Sequence, residues 1–107
     1  MRVELHPEAR TELRAAAVWY EERRDGLGDE FVGEVSEVLA RISHSPEQYS
    51  RWPGTERGSG IVRKAAVRRF PYLIAFEIGA GTAFVLAVAH ARRLPVYWLA
   101  RAGRMPD

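Results

Sequence analysis

His90, Arg92, Arg93 and Tyr97 crowd into eight positions near the end of a 107-residue chain, with Trp98 beside them and Lys64 on an earlier segment. Side chains of these types can cleave RNA without a metal. A general base takes the 2′-hydroxyl proton, a general acid protonates the leaving oxygen, and cationic groups stabilise the developing phosphorane charge. His90 could be acid or base, since an imidazole has an ordinary pKa of about 6.5. Arg92 or Arg93 could hold the phosphate, and Tyr97 or Trp98 could stack on a base. Arg63, Arg68 and Arg69 are further candidates for contact with a nucleic acid or another target. The same set also suits a plain binding surface, and a lone histidine at a strand end is more often structural.

Other chemistries find no support. The chain has no cysteine, hence no disulfide and no thiolate. His6, His44 and His90 lack metal-ligand spacing. "GTERGSG" lacks the Lys-Ser/Thr ending of a phosphate loop. No metal or cofactor is expected.

The elements that must position these residues are legible from periodicity. "RVEL" (2–5) reads as a short strand, and His6-Pro7 opens a helix with proline at its first position. Ala9, Leu13, Ala16 and Tyr20 recur at helical spacing, with Ala17 and Trp19 widening the stripe. "DGLGD" breaks the helix. Asp29 is the expected cap of a second, whose stripe is Phe31, Val32, Val35, Val38, Leu39 and Ile42, ending before Pro46. Residues 46–60 are rich in Pro, Gly and Ser and read as loop. The period then becomes two: strands are expected at 61–68, 71–78 and 82–91, joined through "RRF" and "GAG". The tail beyond Trp98 is expected to fray from residue 99.

The order is that of a single α+β domain over residues 1–107. An N-terminal strand and an αα-hairpin precede a three-stranded antiparallel meander, with the helices packed on one face of the sheet. Strict alternation puts Phe84, Leu86, Val88 and His90 under the helices with Tyr72, Ile74, Phe76 and Ile78. The opposite face would carry Leu73, Ala75, Val85, Ala87 and Ala89, small and apolar. Such a face either receives a partner or is covered by the C-terminal tail, with Trp98 or Leu99 as lid.

Charge is segregated along the chain. Residues 1–56 carry seven Arg against twelve Asp and Glu, and residues 57–107 carry eight Arg and one Lys against Glu77 and Asp107. The halves are therefore −5 and +7. Either the second half meets a polyanion or an acidic protein, or the halves pair with each other. The longest apolar run, "AFVLAVA", is far too short to span a bilayer, and "MRVELHPEAR", charged and without an apolar run, is not expected to act as a signal peptide. A cytoplasmic protein without a membrane partner is expected.

Three stretches, "WYEERRDGLGDEF", "RRFPYLIAFE" and "VLAVAHARRLPVYW", together with the order of elements, resemble the RelE/ParE superfamily of type II toxin–antitoxin toxins. The resemblance implies growth inhibition neutralised by a cognate antitoxin, which wraps the toxin as a hetero-oligomer, as in plasmid-stabilisation modules. Antitoxin binding would fall on Leu73, Ala75, Val85, Ala87 and Ala89. Two activities are implied as alternatives. ParE-like members bind and poison DNA gyrase; RelE-like members cut mRNA on the ribosome without a metal. Lys64, Arg92 or Arg93, and Tyr97 match the catalytic pattern of cutting members, with His90 beside them. Leu73, however, stands where cutting members carry a middle-strand arginine, which favours the gyrase reading.

Overall fold

The computed structural model describes residues 1–53, 55, 61–93 and 97–103. Strand β1 (Arg2–Leu5) leads into helix α1 (Pro7–Arg23), then α2 (Leu27–His44), β2 (Val62–Ala66), β3 (Tyr72–Gly79) and β4 (Thr82–His90). The expected loop after α2 contains a short 3-10 helix at Pro46–Gln48. Its residues 54 and 56–60 lie outside the described residues.

Local chemistry starts and stops the helices. Pro7 has no N–H to leave unpaired at the first turn, and His6 caps it by accepting from Glu8 N through Nδ1 at 3.1 Å. The expected cap of α2, Asp29, is inside the helix; the N-cap is Gly26, in the left-handed region at φ 87°. The capping acceptor comes instead from the preceding helix. Glu21 takes the N–H groups of Gly26 and Gly28, each at 2.9 Å. The helices approach closely at Gly28: a Cβ there would sit 2.6 Å from the Ala17 carbonyl oxygen.

The sheet order is β1-β4-β3-β2. The meander is antiparallel, but β1 joins it alongside β4 in parallel, so the whole sheet is mixed. Both helices cover one face. Phe31, Val35, Val38 and Ile42 of α2 and Ala9 and Ala16 of α1 are buried against Ile74, Phe76, Ala83, Val85 and Val88. Tyr20, Phe31, Phe70 and Tyr72 close one end of this core through tilted and edge-on ring contacts 4.8–6.2 Å apart. Trp19 does not join the buried stripe; it is 51% exposed.

Strict alternation fails in β4. Ala75 pairs with Ala87 but Phe76 pairs with Val85, leaving Leu86 as an extra residue in a β-bulge. The bulge reverses parity, since neighbouring side chains point to opposite faces. Val85 therefore lies under the helices, and Leu86 lies on the other face with Ala75, Ala87 and Ala89. That second face is not open. Trp98, 1% exposed, packs on Val62, Ala75, Leu86, Ala87 and Ala89, with Trp52, Tyr97, Leu99 and Ala102 around it. The tail is held, not frayed, through Gly103: Leu99–Arg101 forms a 3-10 turn, and Gly103 N donates to Glu77 at 2.8 Å. Residues 104–107 lie outside the described residues.

Candidate functional site

β1 pairs with β4 only from Thr82 to Val85, because the chain turns into α1 at His6. Beyond that point no strand of the described residues lies beside this edge of β4, and its backbone groups need other partners. Glu12 of α1 and Arg101 of the tail supply them. Val88 N donates to Glu12 Oε1 at 3.0 Å, and Arg101 Nη1 donates to the Leu86 carbonyl at 2.9 Å. Arg101 also grips Glu12 with both nitrogens at 3.2 Å, the bidentate arrangement that suits a guanidinium and a carboxylate. Both side chains are only about one-seventh exposed, so this ion pair is shielded from water.

Tyr97 completes the latch. Its hydroxyl donates to Glu12 Oε2 at 2.6 Å, while the Arg93 guanidinium lies 3.8 Å above its ring and 3.8 Å from the same carboxylate. Burial, and then the Glu12 carboxylate, push the Tyr97 hydroxyl well above the ordinary tyrosine range. The phenol therefore keeps its proton. It can donate a hydrogen bond but is unsuited to act as a base near neutral pH.

Next to the latch lies an open groove of about 630 Å³ between α1 and the adjoining ends of β3 and β4. Ala16, Trp19, Tyr20, Pro71, Tyr72 and His90 make most of its wall, with Glu12 and Arg93 at its polar end. His90 stands edge-on to Tyr72 with ring centroids 5.2 Å apart. Its Nδ1 accepts from Arg92 N at 3.1 Å.

The residues singled out from sequence thus separate. Arg93 and Tyr97 gather around Glu12, and His90 lines the same groove. Arg92 is exposed beside them. Lys64 pairs with Ala75 in the sheet and so starts from the face that the tail covers. Arg63 donates to the Tyr49 carbonyl at 2.7 Å. Arg69, at φ 73° in the β2–β3 turn, reaches Glu30 at 2.7 Å and Glu34 at 3.5 Å, binding that turn to α2. Arg68 is exposed in the same turn. Of the five residues expected to form an open apolar face, Val85 is in the helix-side core, Ala75, Ala87 and Ala89 are buried beneath the tail, and Leu73 is half-buried. Trp98 is the lid and not an exposed contact.

Both halves of the charge pattern meet in these contacts: Arg69 with Glu30 and Glu34, and Arg93 and Arg101 with Glu12. Glu12 and Arg101 were not distinguishable in the sequence from other charges on a wet helix face and in a tail. The one available signal is that Glu12 follows Ala9 and precedes Ala16 on the buried stripe, within a helical turn of each.

The model of the ParE toxin of type II toxin–antitoxin systems, parDE, matches residues 3–95. Among solved structures, one from a chromosomal ParDE toxin–antitoxin system of P. aeruginosa superposes with a TM-score of 0.67 at 18% identity, covering 84% of this chain and 95% of that one. At that identity the likeness is one of fold. No curated protein matches the chain by sequence.

Proposed function

The chain belongs to the ParE toxin family of type II toxin–antitoxin systems, and from that membership we propose that it arrests growth by binding DNA gyrase, with a cognate antitoxin holding it inactive in a hetero-oligomer. The family match over residues 3–95 carries the toxin role. The choice of gyrase rests on chemistry at the site. The Tyr97 proton is held by Glu12, Lys64 starts from the other face of the sheet, and Leu73 occupies the position where cutting relatives carry arginine. Phosphorane stabilisation is a large part of metal-free RNA cleavage, and neither Lys64 nor a middle-strand arginine joins Arg92 and Arg93 on this side of the sheet. No helix of the described residues is long and apolar enough to cross a membrane, which accords with action in the cytoplasm.

One observation favours a second reading, ribosome-dependent mRNA cleavage: His90 and Arg93 line a single groove. Inducing the chain without antitoxin separates the two. Gyrase poisoning gives topoisomerase-linked DNA breaks and inhibits supercoiling by purified gyrase, while cell-free translation continues. Cleavage of ribosome-bound message, with supercoiling untouched, would overturn the gyrase reading.

A further inference from the structure

We propose that Arg101, from the tail, sets the charge of the groove between α1 and the ends of β3 and β4. By saturating the Glu12 carboxylate it leaves Arg93 to hold the carboxylate of a small aromatic acid, whose ring lies along Trp19, Tyr72 and His90. The proposal is independent of the choice of cellular target.

A carboxylate offers about four lone-pair sites, and those of Glu12 are all engaged. Its Oε1 accepts from Val88 N at 3.0 Å and from Arg101 Nη1 at 3.2 Å. Its Oε2 accepts from the Tyr97 hydroxyl at 2.6 Å and from Arg101 Nη2 at 3.2 Å. Arg93 is left at 3.8 Å from Glu12, beyond hydrogen-bond range, and rests on the Tyr97 ring with 57% of its side chain exposed. Two guanidinium groups thus meet one carboxylate, and the cluster carries one positive charge in excess. Glu12 and Arg93 line the groove, whereas Arg101, 16% exposed, acts from behind it. Without Arg101, half of the Glu12 sites fall open, and Arg93 is near enough to close on them. The excess charge then disappears from the polar end of the groove.

The rest of the wall suits a ring. Trp19 is 51% exposed and stands in one wall with Tyr72, His90 and Pro71, and aromatic surfaces of this kind favour offset or edge-on ring contacts. A space of about 630 Å³ is in the range that holds a small ligand. An ammonium ion of the same shape would meet Arg93 as a like charge, so the groove distinguishes acid from amine.

The test titrates the full chain with naphthoate and with its cationic counterpart, naphthylmethylammonium. Binding is followed at the Trp19 indole N–H by NMR, assigned through Trp19→Phe, and folding by thermal melts. The parent should bind the acid about tenfold more tightly than the amine, and Arg101→Ala should remove most of that preference, as when one charged hydrogen bond is withdrawn. Arg101→Lys keeps the charge and should stay within about threefold of the parent. Adding Glu12→Gln to Arg101→Ala should restore acid binding to within about threefold, because a neutral amide does not draw Arg93 away. The tail is held no better in that double variant, so the restoration separates charge from anchoring. A loss that Glu12→Gln leaves unrepaired would show that Arg101 only anchors the tail, and would overturn the proposal. So would equal affinity of the parent for acid and amine, unchanged acid binding in well-folded Arg101→Ala, or no response at the Trp19 indole. Each of these outcomes leaves the toxin–antitoxin reading standing.

Discussion

The two faces of the sheet are both dry, yet they are covered in different ways. On one, two helices spanning Pro7–Arg23 and Leu27–His44 lay down a continuous apolar stripe. On the other, a few residues after β4 do the work, with one buried tryptophan and a carboxylate–guanidinium latch. The first covering is cooperative with the fold, because removing it removes most of the core. The second is local, and its loss leaves the helix-side core intact. A local covering of that kind opens at a lower free energy than the global transition.

Truncations on the two sides should therefore fail differently. Phe31→Ala, in the helix-side core, is expected to cost about 3–5 kcal/mol and to lower the denaturant midpoint of the whole chain. Trp98→Ala should cost up to about 3 kcal/mol, at the low end of the range for such truncations, because the tail can detach and limit the loss. Its signature is faster hydrogen exchange at residues 97–103 and binding of a hydrophobic dye, with the aromatic near-ultraviolet signal of the Tyr20–Phe31 cluster retained. Equal, global unfolding in both variants would erase the distinction between the coverings.

The latch itself gives a smaller effect. Glu12→Gln keeps the shape but removes the charge that Arg101 and Tyr97 address, and should cost about 1–3 kcal/mol. Its check is a double-mutant cycle with Arg101→Ala, in which a coupling near zero would show that the pair does not act as a unit. Tyr97→Phe should sit at the lower end of the same range, about 1 kcal/mol.

The smallest effect belongs to the exposed ion pairs on the helix side. The hydrogen bond from Arg69, and then that from Arg24, hold the Glu30 carboxyl below the ordinary glutamate range. A depressed carboxylate contributes stability that is present above its unfolded pKa and lost as pH falls through the folded value. The contribution of Glu30 should therefore fade only below about pH 4. Carboxyl NMR titration checks this: Arg69→Ala should return Glu30 towards ordinary behaviour, and an unchanged titration would show that Arg69 does not set it.

How far the sequence could be read follows from contrast between neighbouring residues. Where polar and apolar residues alternate with a clear period, as in α2, the buried side was plain, and Phe31, Val35, Val38 and Ile42 are buried as their spacing requires. In "AFVLAVA" every residue is apolar and both faces are covered, so the pattern carries no parity and the bulge at Leu86 leaves no trace. His90, Arg93 and Tyr97 were legible as a chemical group because they are close in sequence. Glu12 joins them from 78 positions upstream of His90, as only the packing of α1 on β4 can arrange.

The sequence by itself determined the order of elements, the helix-side stripe of α2 and the family, since these depend on local period and on motifs within short stretches. Tertiary structure alone decided which face Val85 and Leu86 occupy, that Trp98 closes the second face, and that Glu12 and Arg101 complete the edge of β4. The reason is physical. A backbone edge left bare where β1 ends must find donors and acceptors wherever the fold brings them, and distance along the chain says nothing about which charges those will be.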